Sequence, residues 1–568
     1  MEQITKLYPD IGLAYIHSKE QNMIEEKLIP YLGNSIKEFW DLPAFTNYPS
    51  GAMTYRQVGL RLLWLHDLFV SCGLHKGSKV ALAGKNCANW ANVWLASVTY
   101  GATVVPILAN FSPEDTQHII NHSESEILFI SRDKYDAIDC EQFSKVDYVF
   151  SLDDFSLLSC KRELSGAWQA PSLEADKYAK LSKQEFVLRD VCENEDHAAI
   201  IYTSGTTGFS KGVILPHRSI LANLIVAREN LLFKVGAKVV SFLPLAHAYA
   251  CSFDFIYPFT RGNHINFIDK IPSPKILLGA IQDLKPNVFL AVPLLIEKIY
   301  KKQLQPTLEN PKMQRMLKIP GLKNIIHAKI RKKLITAFGG NLTELIVGGA
   351  PMNAEVEQFF KKIKFPITIG YGMTELGPLI SYSRWFEHRF ESSGKTVKYI
   401  EAKINSPEPG KIPGEILIRG DQLFLGYFKN EEATREVLID GWLHTGDIGT
   451  MDKDDFIYIR GRSKNMILSA SGENIYPELV EQKLNNMPYV LESLVMEKEK
   501  RIVALVYPDF ENLDLAKIPE SQVAELMEEN RQKVNQLLAD FSRIAKIQIV
   551  NEPFQKTPTQ KIKRYLYS

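Results

Sequence analysis

A chain of 568 residues is too long for one hydrophobic core, so several domains or subdomains are expected. Its 45% hydrophobic and 23% charged content is that of an ordinary globular protein, and a net charge of +1 gives no ground for a nucleic-acid or polyanionic partner. Cys72, Cys87, Cys140, Cys160, Cys192 and Cys251 form no C-x-x-C, which argues against a zinc or disulfide framework and fits a reducing, cytoplasmic compartment.

No basic-then-apolar leader opens MEQITKLYPD, and residues 1–50 carry no recognisable chemistry. From Met53, MTYRQVGLRLLWLHDLFVSCGLHKGSKVALAG reads as an amphipathic helix, a turn and a strand, with Leu60, Leu63, Trp64 and Leu68 on the core face. Residues 86–113 lack any charge but contain four Asn, a Gly and two Pro. They split into a Trp-rich helix and a strand, 103–108, which reads as a buried unit and not a membrane span. Residues 131–190 are polar, mixed and uninformative.

Residues 198–202 form an apolar, β-branched run that ends in Thr203, Ser204, Gly205, Thr206, Thr207 and Gly208, followed by Lys211. A buried strand ending in many donors and one cation is a cradle for a phosphate chain. It is not the common P-loop, because Phe209 and Ser210 separate Gly208 from Lys211. The alternative, a flexible polar surface loop, rarely follows a buried strand and closes on Lys-Gly before another apolar run.

The same pattern recurs. Residues 239–243 run into Pro244-Leu245-Ala246-His247, and 287–292 into Pro293. Residues 342–347 run into Gly348-Gly349-Ala350, and 366–369 into Gly370-Tyr371-Gly372-Met373-Thr374-Glu375. In open α/β sheets ligands bind at the carboxyl ends of strands, so these turns are expected to converge. Gly348-Gly349-Ala350 leaves room for a flat group; a tight strand–helix turn is the alternative. Tyr371 suits stacking on a base or simple core packing. Thr374 and Glu375 suit a phosphate oxygen and Mg²⁺, with a helix N-cap as the rival reading. His247, taken alone, also fits a satisfied core histidine.

Near residue 460 the character changes. A last strand, 456–459, leads into the glycine-bearing basic joint Gly461-Arg462-Ser463-Lys464. Pro477 then opens a helix carrying Leu479, Val480 and Leu484. Strands at 494–496 and 502–507 follow, then a long helix with Val523, Leu526, Met527, Val534, Leu537, Leu538 and Phe541 on one face. The fold class is α/β: a large N-terminal domain, 1–459, of several subdomains with mixed sheets covered by helices, and a small α+β C-terminal domain, 460–568, on a hinge. By composition the closing PFQKTPTQKIKRYLYS reads as a solvated basic tail.

TSGTTGFSKGV, GGAP, YGMTELGP, GWLHTGDIG, RGRSKNMI and TPTQKIKR, taken together and in this order, resemble the motifs of the adenylate-forming (acyl-activating) superfamily over roughly residues 53–566. LPLAHAYA, KPNVFLAVPLLIEKIYKK and GGAPMNAEVEQFF look most like the long-chain fatty acyl-CoA synthetase branch. The resemblance implies that Thr203 to Gly208 and Lys211 hold the ATP β- and γ-phosphates, with Ser210 where the family has proline. It implies that Gly348, Gly349 and Ala350 flank adenine, that Tyr371, beside Gly372, stacks on it, and that Thr374 contacts the α-phosphate. Glu375 would hold Mg²⁺, Asp447 the ribose hydroxyls, and Arg462 the ribose or phosphate edge. His247 would line the acyl pocket, and Lys561, preferred over Lys563, would be the catalytic lysine. Lys464 would be the hinge, and Ser471, Gly472 and Glu473 would lie near the coenzyme A thiol path.

The implied reaction joins a fatty acid to AMP with release of pyrophosphate, then passes the acyl group to coenzyme A. An acyl-AMP ligase loading a carrier protein, or a ligase for another carboxylic acid, shares the first step. A P-loop kinase lacks its Gly-Lys-[ST] here. The expected partners are small molecules, with peripheral membrane contact left open.

Overall fold

A computed structural model describes residues 24–162, 178–203, 210–231, 233–268, 273–469, 472–557 and 561–567. Ser204, Gly205, Thr206, Thr207, Gly208 and Ser471 lie outside them.

The apolar, β-branched runs become the strands of stacked mixed sheets. The largest has eight strands in the order Gly426–Tyr427, Lys211–Pro216, His197–Thr203, Thr103–Ile107, Lys79–Ala83, Ile127–Ile130, Tyr148–Ser151 and Leu157–Cys160. Its five central strands run parallel, while Lys211–Pro216, Gly426–Tyr427 and Leu157–Cys160 are antiparallel to their neighbours. The uncharged segment is the helix Ala88–Tyr100 followed by Thr103–Ile107. The helix is buried on nearly every side, which explains why it needs no charge, and Gly101 ends it in the left-handed region at φ 89°. Among the described residues no helix is long and apolar enough to cross a membrane.

A four-stranded sheet contains Lys238–Ser241 and His264–Ile268, and a parallel three-stranded sheet contains Val288–Ala291, Glu344–Val347 and Ile367–Ile369. A five-stranded antiparallel sheet carries Trp442–Met451 paired with Ile457–Arg462. That last ladder continues through Gly461 to Arg462, two residues past the expected joint at 460, and the short helix Ser463–Asn465 with Lys464 follows it. The carboxy-terminal unit has a three-stranded sheet, Val490–Lys498, Arg501–Pro508 and Lys546–Ile549, against the helices Pro477–Leu484 and Glu520–Asn535.

Two expected core faces are corrected. Leu537 and Phe541 are exposed, because the helix ends at Asn535 and its periodicity no longer sets which side faces the core; Leu538 still packs there. In Tyr55–Ser71 the innermost positions are Val58, Leu62, Leu65 and Leu68, while Leu63 and Trp64 are half-buried and Trp64 packs on Phe155. The helix begins with a capping box between Thr54 and Gln57, a local device contributing about 1 kcal/mol.

Burial holds His66 and His217 at about 4, below the ordinary histidine value of 6.5. The unfolded chain therefore binds protons that the folded chain refuses. Their contribution is fully present above pH 6.5 and is lost as the pH falls from 6.5 to about 4. The unfolding free energy is expected to fall through that window, by up to about 3 kcal/mol per histidine, and thermal midpoints to fall with it. Replacing either by a neutral isostere should flatten the slope; an unchanged slope would show that the two do not titrate as described.

Candidate nucleotide and acyl-transfer site

The expected convergence at strand ends can be followed side chain by side chain. Thr203 ends one strand and Lys211 begins its antiparallel partner, so the two are paired across the ladder. The Lys211 ammonium lies 4.7 Å from the ring centre of Tyr427. The Tyr427 hydroxyl donates to Glu375 Oε1 at 2.8 Å. Glu375 sits in the short helix Thr374–Leu376 and is only 8% exposed. Burial raises its pKa, with the Tyr427 hydrogen bond and Arg462 pulling the other way.

A second group meets it from the five-stranded sheet. Asp447 faces Arg462 across the Trp442–Met451 and Ile457–Arg462 ladder. Arg462 Nε lies 2.8 Å from Asp447 Oδ1, and the Tyr371 hydroxyl donates to Oδ2 at 2.6 Å. Asp447 is 4% exposed. Burial raises its pKa, while Arg462, the Tyr371 hydroxyl and Lys561 favour its charged form. The carboxylate thus already holds two donors, the capacity that a vicinal diol requires. Tyr371 itself is buried, so the structure gives it a hydrogen-bonding role with Asp447 beside any stacking role.

Lys561 lies within electrostatic reach of both groups. Protein crowding around its ammonium pulls its pKa below the usual lysine value, and Arg462 adds to this; Asp447 and Glu375 oppose it. The residue keeps exposed surface, so it sits at the mouth of the site. Burial, and then the Lys561 charge, lower His247 to about 4, which places the two within electrostatic reach. Contacts thus join Lys211, Tyr427 and Glu375 in one group and Arg462, Asp447 and Tyr371 in another, with Lys561 within electrostatic reach of both and of His247.

The glycine turns divide. Gly349 has φ +88° and open space where a side chain would stand, and it and Ala350 are exposed beside the buried strand Glu344–Val347. Gly348 instead lies against the Tyr249 ring, where an added Cβ would come within 3.1 Å. Gly372 is dictated by packing, since its Cβ would meet the Pro378 carbonyl oxygen at 2.2 Å. Gly372 thus owes its lack of a side chain to its neighbour in the fold. Thr374 is half-buried in the same turn as Glu375. Lys464 is exposed. Gly472 and Glu473 lie on the turn between Ile467–Leu468 and Asn474–Ile475, closed by Ser469, whose hydroxyl donates to Glu473 Oε2 at 2.8 Å.

Sequence reading missed Tyr427 and the supports of Lys561. Thr557 N donates to the Lys561 carbonyl at 2.8 Å, and Lys561 N donates back to Thr557 Oγ1 at 3.2 Å. Three residues after Lys561, Arg564 forms a forked pair with buried Glu481, one contact being 2.6 Å, and reaches the Val495 carbonyl at 3.2 Å. Glu478, one turn before Glu481, accepts from Asn465 beside the hinge at 2.5 Å. No local motif marks these partners, which are separated by up to 83 positions.

Among the described residues no cluster of three or more His, Cys, Asp or Glu is arranged to hold a metal. Glu375 suits Mg²⁺ nonetheless: a desolvated carboxylate with one tyrosine partner offers the single protein oxygen that an ion otherwise held by phosphates and water needs. Tyr427→Phe keeps the ring under Lys211 but removes the donor to Glu375. We expect a roughly tenfold lower kcat/KM in ATP-dependent pyrophosphate release, worth about 1.5 kcal/mol, with the loss varying with Mg²⁺ concentration. A loss independent of Mg²⁺ would detach Tyr427 from the metal role.

The AMP-binding enzyme family matches residues 34–428, and the AMP-binding enzyme C-terminal domain matches 464–567. Long-chain-fatty-acid--CoA ligase FadD15 of Mycobacterium bovis is 28% identical over 544 residues, covering 87% of each chain. Long-chain-fatty-acid--CoA ligase ACSBG2 of Rattus norvegicus is 29% identical over 517 residues, 84% of this chain and 74% of that one. Among solved structures, ATP-bound MatB from Rhodopseudomonas palustris superposes with a TM-score of 0.71 at 22% identity, covering 94% of this chain and 98% of that one, a likeness of fold. With a family match over more than half its length and the adenylate-forming fold around one buried charged site, this chain belongs to the AMP-binding enzymes.

Proposed function

We propose that this protein joins a long-chain fatty acid to AMP at the expense of ATP, with release of pyrophosphate, and then transfers the acyl group to coenzyme A. The observation that carries this reading is the placement of Lys561, from the small domain, within electrostatic reach of Asp447 and Glu375 of the large one, beside the paired Asp447–Arg462 and Tyr427–Glu375 contacts. The long-chain preference rests on the names of the relatives and on the apolar surroundings of His247.

In the first step a carboxylate oxygen of the acid attacks the α-phosphorus of ATP, and the bond to the bridging oxygen of the β-phosphate breaks. Both reactants are anions, so the site has to meet the developing charge with cations and needs no general base. Lys561 covers the α-phosphate and carboxylate, and Lys211 with the loop from Thr203 receives the departing pyrophosphate. Asp447 fixes the ribose and, through Arg462 and Tyr371, keeps the nucleotide in register. Magnesium, when bound at Glu375, neutralises phosphate charge. With a pKa of about 4, His247 is neutral at physiological pH and shapes the acyl entrance without adding charge. In the second step the sulfur of coenzyme A bonds to the acyl carbon and the bond to AMP breaks. Rotation about the Lys464 hinge exchanges Lys561 for the loop of Gly472 and Glu473 between the two steps.

The test is a panel of carboxylic acids in a pyrophosphate-release assay, with and without coenzyme A. Long-chain fatty acids should outpace short and aromatic acids, and AMP and thioester should appear in equal amounts once coenzyme A is added. Release of ADP, preference for aromatic acids, or an acyl-AMP that coenzyme A cannot discharge would each overturn the reading. The last result would favour a carrier protein as acceptor.

A further inference from the structure

Away from the site, the charge of the molecule is unevenly distributed. Residues 298–333 hold eleven lysines and arginines against one acidic residue, Glu309. These 36 positions carry +10 in a chain whose total is +1, so the remainder is acidic by nine charges. Eight of the eleven cations and no acidic residue fall in 311–333, which lies within the helices Pro311–Leu317 and Leu322–Ala337 and the tight turn that joins them through Gly321 at φ +84°. The longer helix buries Ile326 and Leu334. Its opposite face carries Ile325, Lys329 and Lys332 at positions i, i+4 and i+7, which share one side of a helix.

Two features distinguish this surface from an ordinary solvated basic face. First, Lys312, Arg315, Lys318, Lys323, Lys329 and Lys332 are all exposed, and among the described residues none of them forms an ion pair. Their charge is uncompensated within the fold. Second, apolar side chains stand among them at the turn: Met316 is 39% exposed, Ile319 51% and Ile325 62%. Solvent exposure of aliphatic groups at one protruding turn, surrounded by free cations, costs hydration free energy unless something covers it.

We propose that the turn between these two helices, with the basic faces on either side of it, docks on an anionic lipid surface. Ile319, Ile325 and Met316 would enter the headgroup and acyl boundary while the lysines meet the lipid phosphates and lay their methylene stems along the interface. The apolar tip selects lipid over nucleic acid, whose phosphate backbone offers nothing for an isoleucine to enter. Docking here places the large domain directly on the phase into which long acyl chains partition, and it involves none of the residues of the nucleotide site.

Vesicle flotation of the full-length protein tests this without reference to catalysis. The protein should float with vesicles of phosphatidylcholine plus phosphatidylglycerol and remain behind with phosphatidylcholine alone, and added salt should release it. Lys318→Ala with Lys323→Ala should lower the partition coefficient roughly 25-fold, about fivefold for each cation removed. Ile319→Ser with Ile325→Ser should weaken binding while leaving its salt dependence unchanged. Pyrophosphate release from a soluble acid in the absence of lipid should be unaltered in both variants, which establishes that they are folded. Equal flotation with neutral and anionic vesicles would overturn the proposal. So would anionic-vesicle binding indifferent to both variants, or retention of duplex RNA at salt concentrations that strip the protein from vesicles.

Discussion

Lys561→Ala is expected to lower pyrophosphate release about 10²–10³-fold, the range lost when one preorganised charge-stabilising group is removed. Thioester formation from supplied acyl-AMP should remain largely intact, because the second step does not need a cation at the α-phosphate. The structure adds a pH signature. The Lys561 pKa lies below the usual lysine value through crowding and Arg462, so its ammonium loses its proton earlier on the alkaline side. Adenylation should therefore decline at a lower pH than a free lysine would dictate, and Lys561→Arg should push that limb upward. Rapid-quench measurement of each half-reaction across pH distinguishes these outcomes. An equal loss in both half-reactions would remove Lys561 from the adenylation step.

Asp447→Ala is expected to be the more damaging of the buried carboxylate changes. In the proposed mechanism it strips the ribose of its charged acceptor, and in the fold it leaves the Tyr371 hydroxyl buried without its partner. Each charge-assisted hydrogen bond lost is worth about 1.5–3 kcal/mol, so kcat/KM for ATP should fall by about 10³-fold. Arg462 is partly open to water, and its share of the loss is screened accordingly. The free protein should also lose stability, because a desolvated pair has been broken from one side. Asp447→Asn, which keeps the shape, should recover most of the thermal midpoint but little of the activity. Recovery of both would mean that the carboxylate serves the fold alone.

The order of strands and turns could be read along the chain because each is a local event. An apolar run, a glycine and a donor-rich turn need only their neighbours, and residues 198–203, 344–350 and 367–375 behave as read. Lys211, Glu375, Asp447 and Lys561 could be singled out because the proposed reaction demands those residue types and the motifs stand in a set order. Gly372 was not legible as a packing residue, since the Pro378 carbonyl that excludes a side chain arrives from a turn yet to be made. Tyr427 escaped notice for a similar reason: it is an ordinary aromatic until the Gly426–Tyr427 strand pairs with Val213 and Ile214 and brings its hydroxyl to Glu375.

From residue order alone came the element types, the two-part organisation and the chemical identity of the groups that can grip a nucleotide. Tertiary structure alone decided which carboxylate holds which donor, how Thr557 holds the backbone of Lys561 while Arg564 pairs with Glu481 close by in the chain, and where uncompensated charge and exposed isoleucines share one surface. Pairing energies and desolvation depend on distances between residues far apart in the chain, and no local pattern contains those distances.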